Sequence, residues 1–287
     1  MKSLSPFTIA ILIMALGMMF IPMGDATGKV MATSYGVTPF FIAWTRFILG
    51  ALLVLPFLRS RHIDPRMFLD WRIYLRAGLI IGAINSILTA LQSTPLATAF
   101  GAFFIGPIIA FFLAAWLLKE PITIRRTLLL LAGFGGVLLV VKPGFGMTAG
   151  MGFAVMAGLF YGGFMVANRW LNDAASPRAL LFSQFMIGVV VMAPFGVTNI
   201  PSFSWNLMAL ILASSVFSLM GNLMLILACQ KAEASRLAPI VYFQLISATI
   251  TGFIVFGDVP DIVTLSGLGL LIASGLASIL LKQRPVS

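Results

Sequence analysis

Apolar runs of about twenty residues repeat from Ser5 to Leu281, divided by short polar breaks. A bilayer span needs about 20 mainly apolar residues, because each helical residue adds about 1.5 Å of rise. The runs predict ten helices. The first five are Phe7–Thr33, Pro39–Leu58, Ile73–Thr94, Leu96–Leu118 and Ile124–Val141. The second five are Gly150–Leu171, Pro177–Val197, Leu207–Cys229, Ser235–Gly257 and Val263–Leu281. Breaks such as Lys142-Pro143-Gly144 and Asn172-Asp173 carry turn chemistry. Spans three and four nearly fuse at Ser93-Thr94-Pro95, where the proline sets the boundary. The expected fold class is all-α, a polytopic membrane protein with ten transmembrane helices.

Composition agrees with the pattern. The chain is 60% hydrophobic and 9% charged, with mean hydropathy +1.08. A water-soluble exterior would have to be largely polar. The net charge of +10 would suggest nucleic acid in a soluble protein, but here the position of the charges decides. Arg59, Arg61, Arg66, Arg72 and Arg76 follow span two, and Lys119, Arg125 and Arg126 follow span four. Arg169 and Arg178 flank the break after span six, and Lys231 and Arg236 follow span eight. With Lys2, Lys282 and Arg284 at the ends, 15 basic residues fall on one side, and only Lys142 falls on the other. The positive-inside rule then puts both termini in the cytoplasm. The expected partners are a lipid bilayer and a small solute, with no nucleic acid. Lys2 stands alone before the first run, which reads as a span and not as a removed signal peptide. Cys229 is the single cysteine and His62 the single histidine, so neither a disulfide nor a zinc-spaced cluster is available. Gly133-Phe134-Gly135-Gly136 lies inside a span and lacks the strand-to-helix context of a nucleotide loop. No cofactor or metal is implied.

A shift of 138 residues lays the second half on the first. Pro39 falls on Pro177, Gln92 on Gln230, Glu120 on Asp258 and Gly24 on Gly162. The expected division is 1–142 and 143–287, five helices each. Five is odd, so the second copy must enter the membrane inverted. The charges agree. Lys119, Arg125 and Arg126 correspond to uncharged Gly257, Val263 and Thr264, while Ser93 and Thr98 correspond to Lys231 and Arg236. Inverted repeats let two halves exchange conformations around a midplane site.

These features resemble the drug/metabolite transporter superfamily, in the branch built from two EamA-type domains. Leu96 to Val141 carries the strongest likeness, with small residues, mid-helix Pro107, terminal Glu120 and then a glycine-containing span. Arg46 in FIAWTRFILG matches the family arginine of the second span, and Lys29 the lysine ending the first. The family's Trp-Gly pair in the first span is absent, and MGDATGK stands instead. That variant looks more like the branch containing riboflavin and S-adenosylmethionine transporters. The resemblance implies a ten-helix bundle around a central cavity in a bacterial inner membrane. It implies secondary active transport of small organic metabolites by alternating access, often coupled to protons or by exchange. Amino acids, carboxylates, flavins and nucleoside-like solutes are the expected cargo.

The polar residues inside spans are the site candidates. Asp25 and Lys29 share a helix face near the outer end of span one, and Arg46 reaches a similar depth on span two. Three readings stand. They form a structural ion network; they serve function, as an electropositive rim for an anionic or carboxylate solute or with Asp25 as a proton-coupling acid; or they snorkel outward. Buried amides need partners too. Asn85 lies one position from the repeat equivalent of Asn222, which makes this pair the leading cavity candidate; Asn168, Gln184 and Gln244 follow. Gln184 is the repeat counterpart of Arg46. Trp44, Tyr161 and Tyr242 supply candidate stacking surfaces. Gly78/Gly82 and Gly158/Gly162 carry the four-residue spacing of close helix crossings. A membrane-embedded enzyme is the alternative from another class, but it would need a nucleophile with a base, paired acids or a metal set. A channel or scaffold is the third reading.

Overall fold

The computed structural model describes residues 6–57, 65–121, 123–141, 148–172, 175–202 and 204–280. Among these, every regular element is helical. Lys2, Arg59, Arg61, His62, Lys142, Lys282 and Arg284, used above for orientation and chemistry, lie outside the described residues.

The first half holds α1 (Pro6–Tyr35), α2 (Pro39–Val54), α3 (Trp71–Leu91), α4 (Leu96–Phe103), α5 (Ile105–Leu117) and α6 (Ile124–Val141). The second holds α7 (Ala149–Trp170), α8 (Pro177–Val197), α9 (Trp205–Lys231), α10 (Ala234–Leu237), α11 (Phe243–Phe256) and α12 (Ile262–Leu280). Six stretches are long and apolar enough to cross a bilayer: α1, α3, α4 with α5, α7, α8 and α9. Four more are apolar but shorter, at Pro39–Val54, Thr127–Val140, Ile240–Phe256 and Ile262–Ala277. The molecule is thus an all-α polytopic membrane protein with several long apolar helices.

Local chemistry sets the breaks. Thr38 and Ser176 cap α2 and α8, each accepting from the backbone N–H three residues on at 3.3 Å, and a proline follows each cap. Helix α4 stops at Phe103, four residues before Pro107, whose ring would clash with that carbonyl in a straight helix. In the second half a 3₁₀ turn at Ala238–Tyr242 separates α10 from α11. Helix α3 begins earlier than expected, because the Asp70 carboxylate accepts from the Arg72 backbone N–H at 3.0 Å. One expectation is corrected: Arg76, counted with the basic residues of the polar break, lies inside α3 and fully buried.

The packing repeats itself under exchange of the halves. Helix α1 packs on α9 as α7 packs on α3, and α1 on α11 as α7 on α5. Likewise α2 meets α9 as α8 meets α3, while α2–α8 and α6–α12 pair with their own counterparts. Glycines make the tight crossings. A Cβ on Gly136 would sit 2.7 Å from the Gly267 carbonyl oxygen, and one on Gly267 2.7 Å from that of Gly136. Gly158 lies against the Phe103 carbonyl freed by the α4–α5 break, and Gly162 against the Gly106 carbonyl. Gly78, by contrast, has nothing within 4 Å. Leu12, Leu52, Leu128, Val190 and Ile254 point outward, as lipid-facing residues do. Trp71 and Trp205, at the starts of α3 and α9, are exposed where interfacial tryptophans sit.

Candidate substrate cavity

A charge inside a bilayer-spanning helix needs a partner or water. Arg46, seven residues into α2, has three partners. It donates to the Asp25 carboxylate at 2.7 Å, to the Gly24 carbonyl at 2.6 Å and to Ser214 Oγ at 2.7 Å. Both charged side chains are buried. The three contacts join α1, α2 and α9 at one point. Lys29 does not enter this cluster. One turn past Asp25, it donates to the Thr94 carbonyl at 3.1 Å, pairs with Asp258 at 3.5 Å and lies 4.6 Å from the Phe256 ring centre.

A second buried arginine sits on the other side of the fold. Arg76 donates to Asn168 Oδ1 at 2.6 Å, to the Leu180 carbonyl at 2.9 Å and to Gln184 Oε1 at 2.9 Å. Its guanidinium carbon lies 5.0 Å from the Phe164 ring centre. Gln184 in turn donates to Asn222 Oδ1 at 3.2 Å. Helices α3, α7, α8 and α9 meet through this network.

Between the clusters lies a cavity of about 40 Å³, room for a few water molecules. Helical periodicity explains its walls. Ile80, Ala83, Ile84 and Ile87 form one face of α3; Ile21 and Asp25 face it from α1, and Ser218 and Asn222 from α9. Arg46, Phe100, Phe103 and Tyr161 complete the lining. The Phe103 and Tyr161 rings are 5.0 Å apart, a contacting aromatic pair. A carboxylate, a guanidinium, an amide, a hydroxyl and aromatic rings therefore share one small space. Such groups recognise a polar organic solute with a flat apolar part.

Of the sequence candidates, Asp25, Arg46, Tyr161 and Asn222 line this cavity. Asn85 does not. It sits one residue past Ile84, hence about 100° around α3 from the cavity face. Its amide donates to the Ile81 carbonyl at 2.9 Å and to Met192 Sδ at 3.4 Å. Trp44 lies at the α2–α8 contact, donating to the Val189 carbonyl at 3.2 Å. Asn168 and Gln184 stand one layer behind the wall, on Arg76. Gln244 donates to Met18 Sδ at 2.9 Å, beside Tyr161. Tyr242 stacks edge-on with Phe104 at 5.2 Å, and its hydroxyl faces Gly133 of α6. Arg76, Ser214 and Ser218 were not singled out. One signal could have found two of them: the 138-residue shift that pairs Arg46 with Gln184 also pairs Arg76 with Ser214.

The sequence pattern of the EamA-like transporter family matches residues 8–142 and again 148–280. The chain is 26% identical over 258 residues to an S-adenosylmethionine uptake transporter of Rickettsia bellii, covering 86% of each chain. It is 20% identical over 259 residues to a riboflavin transporter of Brucella anthropi, covering 85% of this chain and 89% of that one. A solved crystal structure superposes with TM-score 0.74 at 16% identity, covering 98% of this chain and 99% of its own, a likeness of fold.

Proposed function

The chain belongs to the EamA-like transporter family and is a small-metabolite transporter, not an enzyme, and on that premise we propose how it carries its solute. Ten spans form two inverted repeats, 1–142 and 143–287, with both termini cytoplasmic in a bacterial inner membrane. The exchange of helix pairings between the halves supports the repeat. The four shorter apolar helices would complete the ten.

Alternating access needs a closure at each face. Two ion pairs are suited to that role. On the outer side, Lys29 of α1 meets Asp258 beyond α11 and the Thr94 carbonyl. On the inner side, Arg169 of α7 meets Glu120 beyond α5 at 3.8 Å and the Cys229 carbonyl at 3.4 Å. Asp258 and Glu120 are related by the 138-residue shift, and the other members lie within three positions of it. With both pairs made and little room between them, the conformation is occluded. One pair at a time opens as the halves rock.

The solute carries a carboxylate and a planar or amphipathic apolar part. The single observation behind this class is the cavity where Asp25, Arg46 and Asn222 meet Phe100, Phe103 and Tyr161. The relatives support the planar part, since S-adenosylmethionine and riboflavin both present a flat heteroaromatic ring, and of the two only S-adenosylmethionine carries a carboxylate. Protons are the proposed coupling ion, with Asp25 as carrier, because its carboxylate is the acid that lines the cavity. Counterflow in proteoliposomes tests the reading. Liposomes preloaded with S-adenosylmethionine or riboflavin should accumulate labelled solute saturably, and Asn222→Leu should slow it at least about tenfold. Saturable flux of riboflavin without flux of S-adenosylmethionine would reject the carboxylate, and flux of neither through folded protein would reject this solute class. Flux indifferent to Asn222→Leu would reject the cavity as the path.

A further inference from the structure

The two buried arginines occupy one junction seen twice. Under the 138-residue shift Gln184 takes the place of Arg46, and Ser214 the place of Arg76. The outer junction is Arg46 with Ser214, and the inner one is Gln184 with Arg76. The guanidinium has changed helices between them. One difference remains. The outer arginine is neutralised by Asp25 at 2.7 Å. The inner position equivalent to Asp25 is Gly163. Arg76 meets only neutral oxygens, and among the described residues no carboxylate pairs with it. A fully buried cation without a counter-charge is costly in so apolar a setting.

The arrangement also gives it an outlet. Gln184 stands between Arg76 and Asn222, touching both, and Asn222 is a cavity wall. A change of one side chain would bring the guanidinium to the solute. The Phe164 face and Asn168 would hold its plane meanwhile. We propose that Arg76 is the anion-recognising residue of the transport site: the solute's carboxylate displaces the Gln184 carbonyl and supplies the acid that Gly163 lacks. Arg46, already paired with Asp25, is not the receptor. This rests on the transport reading and names the solute's charge and its anchor.

A purely structural Arg76 makes the opposite prediction for one variant. Gln184→Glu places a carboxylate on the guanidinium within the chain. A structural tie would be kept or strengthened, with ligand preference unchanged. A recognition site would be occupied by its own chain. The probes are benzoate and benzamide, which share a flat ring and differ in charge, read by thermal protection of the purified full-length protein. Benzoate should protect the wild type at about tenfold lower concentration than benzamide, the gain expected of one charge-assisted bidentate contact. Gln184→Glu should abolish that preference without lowering the unliganded melting temperature. If Gln184→Glu fails to fold, Arg76→Lys should weaken benzoate more than benzamide, because an ammonium lacks the planar fork. Equal protection of the wild type by both probes, or a benzoate preference that survives either variant, overturns the assignment. Equal protection of the wild type by both probes beside intact S-adenosylmethionine counterflow removes Arg76 and leaves the transport reading. Discrimination without counterflow of either named solute does the reverse.

Discussion

Asp25 and Arg46 show what a lone charge demands inside an apolar helix. Each is buried, and the pair joins helices that approach from opposite membrane directions. Removing one partner strands the other charge, an effect of about 3–5 kcal/mol for buried pairs. Asp25→Asn should therefore lower the melting temperature of the purified protein markedly. Asp25→Asn with Arg46→Gln should recover part of the loss, and the double-mutant cycle should show coupling above about 1 kcal/mol. Additive losses would mean that the pair does not hold the helices together. If Asp25 also carries the coupling proton, folded Asp25→Asn should transport without the wild type's pH dependence; an unchanged pH profile would remove it from that role. This pair was legible in the sequence, because two opposite charges at one depth have few other choices. The partner of Lys29 was harder to see, since Asp258 lies in the other half and meets it only through the α1–α11 packing. Arg76 was hidden by its setting one turn after Arg72, where the charge pattern groups it with the polar break although it stands inside the helix.

At the scale of the helix, spacing proposes a contact and the neighbour decides it. Gly78/Gly82 and Gly158/Gly162 look alike in sequence. Only the second pair is pressed against another backbone, at the broken helix α4–α5. Gly158→Val should sharply reduce the yield of folded protein, because the obstructing atom is a backbone oxygen that cannot swing away; overpacking usually costs about 1–3 kcal/mol. Gly78→Ala should be neutral or stabilise by up to about 1 kcal/mol, since it meets open space on a helix. Melting temperatures of the two variants compare these outcomes directly, and equal losses would contradict the packing described. The same lesson applies to Asn85 and Asn222. Their depth could be read from the repeat, but the facing side of α3 is set by Ile80, Ala83, Ile84 and Ile87, and Asn85 falls beside it.

For the molecule as a whole, an all-α membrane protein with several long apolar helices was plain in the sequence, because a bilayer constrains span length. The cavity was not, since four helices of the first half and two of the second meet there. Orientation has its own check: reporter fusions after Arg61 and Lys231 should report cytoplasm, and fusions after Val37 and Asn199 the outside. An inside signal from Asn199 would overturn the ten-span inverted arrangement. Alternating access requires the cavity to open to each face in turn. Ala83 is buried on the cavity wall, so Ala83→Cys in a Cys229→Ser background gives one reporting thiol there. A membrane-impermeant thiol reagent should reach it from either face of oriented vesicles. Asp258→Asn should speed labelling from outside and slow it from inside, and Glu120→Gln should do the opposite. Labelling from one face only, unmoved by either ion-pair variant, would contradict alternating access through this cavity.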